Sequence, residues 1–203
     1  MKKDKNKVKR QKDGFFKRHY SLSWKYIKEC RSYILFIVLV FLFAFLIALY
    51  YQPLFIVDWI KEFVKELLEE TSDLNMWQMI VFILNNNLRS SFIAMLLGIF
   101  LGIFPVVTAL ANGYVLGFIV EKTVEIEGFS ILWRLLPHGI FEIPAVFLAL
   151  ALGTKLGFFW LAKDKKKEFF RRLEQSLRVF LFIILPLLII AAIIEGILIF
   201  ALG

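Results

Sequence analysis

The chain has 203 residues, of which 60% are hydrophobic and 21% charged, with a formal net charge of +8 and a mean hydropathy of +0.72. Soluble domains carry about half apolar residues dispersed at core spacing, whereas here the apolar residues gather into long runs, which excludes an ordinary water-soluble domain. The basic residues flank those runs, so the charge reports membrane orientation and not nucleic-acid binding.

Residues 1–32 form a basic N-terminal segment with twelve Lys or Arg against Asp4, Asp13 and Glu29. Ser23, Trp24, Tyr26 and Ile27 make a weakly amphipathic element within it. Cys30 is the sole cysteine, which excludes an intramolecular disulfide and a cysteine metal cluster. A first span is expected over 33–50, uncharged and bounded by Tyr33 and Tyr50, whose rings suit the two interfaces. Tyr51, Gln52 and Pro53 follow as an interfacial exit without a small-residue cleavage signal, so the span is expected to be retained.

Residues 51–90 carry six acids against Lys61, Lys65 and Arg89. Within them an amphipathic helix is expected over about 55–70. Trp59, Phe63 and Leu67 recur every four residues beside Ile60, Val64 and Leu68, and Lys61, Glu62, Lys65, Glu66 and Glu69 take other faces.

Residues 91–120 are thirty positions without a charge, too long for one upright crossing. Pro105 lies near their midpoint after Gly98 and Gly102, so a hairpin or re-entrant break is expected there, with spans over about 88–104 and 106–120. Asn85, Asn86 and Asn87, followed by Arg89, are expected to cap the first of them. The four-residue spacings Gly98/Gly102 and Gly113/Gly117 suit close helix packing, with Asn112 able to bond across such a contact or face a substrate.

A short acidic segment holds Glu121, Glu125 and Glu127 against Lys122. Next comes a span over about 131–153, interrupted by Arg134, His138 and Glu142 and disposed to break at Pro137 and Pro144. The loop 154–177 is basic, and Phe169, Phe170, Leu173 and Leu177 beside its cations suit an interfacial helix drawn to anionic lipid. A last span over about 178–200 contains Glu195. Two crossings within 91–120 keep both acidic segments on one side and both basic segments on the other, and a single tilted crossing does not. The expected architecture is therefore an all-α polytopic bundle of about five spans, a single membrane domain over 33–203. Its N-terminus is expected in the cytoplasm and its C-terminus outside the cell membrane.

The ionisable residues inside the spans are few. His138 and Glu142 stand four apart on one helical face, where imidazole and carboxylate can share a hydrogen bond or a proton. They form a candidate intramembrane polar centre, extended by Asn112 and Arg134, with two readings left open: mutual pairing inside the bundle, or handling of an ion, proton or headgroup. There is no His-Glu-x-x-His motif, no Gly-rich phosphate loop ending in Gly-Lys-Ser or Gly-Lys-Thr, and no Gly-x-Ser-x-Gly motif. No catalytic residue, metal or cofactor is expected.

Asn87, Gly98 and Gly102 leading to Pro105, Asn112-Gly113 with Gly117, and Pro137-His138-Gly139 with Glu142 and Pro144-Ala145 occur in this order between residues 85 and 153. In this combination the chain resembles the stage II sporulation protein M family. The resemblance implies a five-span membrane component. In spore formers the family's founding member works with peptidoglycan-degrading partners during engulfment. A non-enzymatic membrane scaffold or complex component is thus the first functional expectation, and a transporter or lipid-handling permease the second. The expected partners are membrane lipids and either a second copy or other membrane proteins.

Overall fold

A computed structural model describes residues 14–129 and 132–202, with the backbone alone for 132–138 and Leu202. Among the described residues there are helices and no strand: α1 Phe15–Glu29, α2 Arg31–Tyr50, α3 Leu54–Thr71, α4 Met76–Leu97, α5 Ile103–Glu127 and α6 Leu132–Gly157. A 3-10 turn Phe158–Leu161, α7 Lys165–Val179, a π turn Phe180–Ile184 and α8 Leu185–Leu202 complete the order. Among the described residues, five helical stretches are long and apolar enough to cross a membrane: α2, α4, α5, Gly139–Leu161 and Lys165–Ala201.

Several boundaries depart from the sequence expectation, each for a local reason. The second span begins at Met76, not near 88, because Asn75 and Gln78 close a capping box in which each side chain accepts from the other's backbone N–H, at 3.0 and 2.9 Å. Asn85, Asn86 and Asn87 therefore lie inside α4 and cap nothing. The chain turns over residues 98–102, where Leu101 and Gly102 both take left-handed backbone, φ 57° and 73°. Pro105 is the third residue of α5, where a missing N–H removes no intrahelical bond, so Leu101 and Gly102 make the turn and the proline lies in the first turn of the next helix. α6 runs through positions 137 and 144 from Leu132 to Gly157, and neither proline ends it. The basic loop is not separate either: α7 continues through the π turn into α8.

α6 packs against α2, α4, α5 and α8 and forms the centre of the bundle. α2 and α5 lie side by side and run parallel, since Gly113 sits under the Phe41 carbonyl and Gly117 under the Phe45 carbonyl. The turn between α4 and α5 fits against the end of α6: a Cβ at Gly98 would overlap the Gly153 backbone, and one at Gly157 the backbones of Gly98 and Gly102. One end of the bundle is basic and gathers α1, the 98–102 turn and α7, tied by the Lys155–Glu29 and Arg171–Glu29 ion pairs. The other end carries α3, which buries Ile60 in a cluster with Ala48 and Phe118, and the Gln52–Glu121 hydrogen bond of 3.0 Å.

Where helices meet backbone to backbone, no rotamer change can admit a larger residue. Gly113→Leu is expected to cost about 3 kcal/mol or more. Leu39→Ala, at a position 56% exposed, should stay within about 0.5 kcal/mol. Thermal unfolding of both variants in one detergent measures the difference; equal losses would remove the packing argument.

Candidate functional site

The glycine junction is a fixed point from which the polar residues of α4, α5 and α6 are placed. The Pro105 ring is 2.8 Å from where a Gly153 Cβ would stand. Asn112 lies seven residues beyond Pro105, about 20° around α5 and about 10 Å along it. Glu142 lies eleven residues before Gly153, again about 20° around α6, and about 16 Å along it. Asn87 stands seven residues before Ala94, which packs in one apolar cluster with Ala109, Leu150 and Ala151. Asn87 and Glu142 are half-buried and Asn112 is exposed. Glu142 takes part in an interaction. The side chains of Arg134, Pro137 and His138 lie outside the described residues.

A second polar cluster, at the basic end, centres on Lys155. Its side chain is 8% exposed and its ammonium sits 3.7 Å from the Glu29 carboxylate. It donates to the Glu29 carbonyl at 3.3 Å, lies 3.6 Å from the Cys30 sulfur, and stands over the Tyr26 ring at 4.2 Å. A cation buried this deeply requires such partners. Its position in the last turn of α6 also places it against the negative end of that helix. Arg171 joins Glu29 at 3.5 Å and Glu168 at 2.7 Å, and Arg172 bonds Glu168 at 2.7 Å and the Lys155 carbonyl. The cluster thus fastens α6 and α7 to the α1–α2 junction. Beside it, a cleft of about 220 Å³ opens between α1 and α7, lined by Leu22, Lys25, Tyr26, Glu29, Arg171 and Gln175.

Burial dominates the acid–base character of this cluster. It pushes the Cys30 thiol up, outweighing the pull of Lys155 in the other direction. It also raises the Tyr26 phenol, with Cys30 adding to the effect. Cys30 is therefore a protonated, inert thiol at neutral pH. Among the described residues, no group of three or more His, Cys, Asp or Glu is placed to hold a metal ion.

Sequence reasoning places Lys155 among the basic residues of the 154–177 loop, and Glu29 as a minority acid in a basic segment. Their pairing spans 126 positions and leaves no local mark. Gly153 and Gly157 had a legible signal, the same four-residue spacing as the two noticed pairs.

The family model for Stage II sporulation protein M matches residues 26–198. The chain belongs to that family. In this stage II sporulation protein M family member the match runs from Tyr26, beneath the Lys155 ammonium, to Leu198 in α8, and so takes in all five apolar helices. No curated protein and no solved structure matches the chain.

Two outcomes test the Lys155 cluster. Glu29→Gln leaves a buried cation short of its carboxylate and is expected to cost about 2 kcal/mol, below the range for a fully buried pair because Glu29 keeps contact with water. Adding Lys155→Met to it should recover most of that loss, read as a rise in melting temperature over the single variant. For Cys30 the raised pKa sets the sign: thiolate is scarce at neutral pH and grows only above the ordinary thiol range. Iodoacetamide should modify the folded protein far more slowly than the denatured protein at pH 8, and equal rates would contradict the assignment.

Proposed function

We propose that this chain is a non-enzymatic integral component of a membrane complex, of the stage II sporulation protein M type. It lies in the cell membrane with the basic end in the cytoplasm and the C-terminus outside. The observation that carries this reading is the closed junction at the basic end. There the backbones of Gly98, Gly102, Gly153 and Gly157 meet without side chains between them. A junction closed backbone to backbone suits a rigid frame for other molecules better than a path across the bilayer. The two charged ends offer surfaces to lipid headgroups and to membrane-protein partners.

The runner-up is a transporter or lipid-handling permease. It is favoured by one feature, the disposition of Asn112 and Glu142 on the helical faces that flank the junction, with His138 one turn from Glu142 in sequence.

Flux in reconstituted vesicles separates the two. The chain alone should leave proton and phospholipid translocation at the level of empty vesicles. Translocation that is lost in Glu142→Gln and His138→Ala, with both variants still inserted, would move the assignment to the permease. For orientation, cysteines introduced at Glu125 and Lys165 should react with an impermeant maleimide from opposite sides of the membrane. Reaction from one side would overturn the topology.

A further inference from the structure

Of the five spans α4 is the least apolar, with a mean hydropathy of 1.4 against 3.0 for α2. Yet only 28% of it is buried, against 61% for the span in α6. A polar helix is expected to hide among its neighbours, and this one does not. The residues responsible are Asn85, Asn86 and Arg89, all exposed. Arg89 lies two residues from the buried Ser91, about 200° around the helix, and so points away from the bundle. None of the three side chains has a hydrogen bond or ion pair among the described residues. The neighbouring Ser90 hydroxyl, by contrast, is satisfied by donating to the Asn87 carbonyl at 3.2 Å. Val81 and Ile93, 55% and 42% exposed, border the patch above and below with apolar surface.

Depth decides what this means. The helix has 22 residues, about 33 Å, matched to a hydrocarbon layer of about 30 Å. Arg89 is nine residues from the Gly98 junction, about 13 Å, and Asn85 is ten residues from the Asn75 cap, about 15 Å. The patch occupies the middle of the span, beyond easy relief by snorkelling. Lipid tails offer it no acceptor, so another protein surface must.

We propose that the outward face of α4 at Asn85, Asn86 and Arg89 is an intramembrane docking site for a helix of a different membrane protein that carries a carboxylate at mid-depth. Arg89 would take the carboxylate in a forked pair and the asparagines would bond its polar neighbours. Charge selects this occupant over a second copy. A two-fold contact on this face sets Arg89 against Arg89. The chain's own intramembrane acids do not fit either: Glu142 is already engaged. Gly196 packs on Ile80, which holds Glu195 more than two turns nearer the acidic end than Arg89. The inference rests on the membrane-component reading and gives that component a partner chemistry.

The test uses the full chain in phosphatidylcholine vesicles, donor-labelled, with an acceptor-labelled synthetic probe helix of 22 leucines and alanines flanked by lysines. A probe with one central Glu should associate at least tenfold more tightly than one with a central Leu. Arg89→Met should abolish that preference, and Arg89→Glu should transfer it to a probe with a central Lys. Arg89 is exposed, so these variants should melt like the parent protein; if Arg89→Met does not, Asn86→Ala should still weaken association with the Glu probe severalfold. No preference for the Glu probe, or a preference that survives Arg89→Met, overturns the proposal. So does self-crosslinking of Asn86→Cys, which would make the occupant a second copy. So does an Arg89-dependent preference for anionic vesicles without any probe, which would assign the patch to lipid. The vesicle flux measurement is independent of all of these, so the failure of either reading is told apart from the failure of the other.

Discussion

Everything in this bundle depends on backbones approaching where side chains are missing. The α2–α5 contact at Gly113 and Gly117 and the junction of Gly98, Gly153 and Gly157 are of this kind. In a bilayer, apolar side chains gain nothing by leaving lipid for one another, so close van der Waals contact between smooth surfaces carries the association. The fold is thereby built around α6, which is held at one end by the hairpin turn and along its length by four neighbours. Once those contacts are set, the direction of each span follows. Polar groups then lie at the two ends, as Lys155 and Glu121 do, or on the outer face of α4.

The two ends solve the burial of charge differently. At the basic end Lys155 is withdrawn from water and depends on a partner from a distant helix, with Arg171 and Arg172 locking the same corner. At the acidic end charges stay wet: Lys122 bridges Glu121 and Glu125 at the surface, and the Tyr114 hydroxyl donates to the Tyr51 carbonyl at 2.6 Å. The first arrangement fixes geometry and the second contributes little energy, while α3 is held at that end by Ile60 packed with Ala48 and Phe118.

Much of the fold was legible in the sequence where one element carries its own signal. The uncharged run ending at Tyr50 read as a span because length and interfacial rings suffice. The need for two crossings between 91 and 120 followed from charge bias on the flanks. Pro105 is expected to cause the turn because proline is the stronger breaker in isolation, whereas Leu101 and Gly102 with left-handed backbone turn the chain and leave proline to begin a helix. The asparagine triplet was read as a cap because amides in a span usually belong at its edge, while the working cap was the Asn75–Gln78 box in an otherwise acidic loop. Lys155 and Glu29 were illegible for a different reason: an ion pair between remote segments has no period to detect. Of the polar centre, the placement of Asn112 and Glu142 is described, and His138 and Arg134 contribute only their helical backbone.

The continuous helix Lys165–Ala201 contains one turn wound wider than the rest, at Phe180–Ile184. A π turn holds one residue more than the α turn it replaces, so everything after it is rotated by roughly 100° relative to everything before it. The helix therefore has two phases. Its basic half presents Ser176 and Val179 inward, and its apolar half presents Leu188, Ala191 and Ala192, two sets that no single straight stripe would align. One rod thus behaves as two differently keyed shafts on a common axis, and Phe182, with the His19 ring stacked on it at 4.8 Å, sits at the coupling between them.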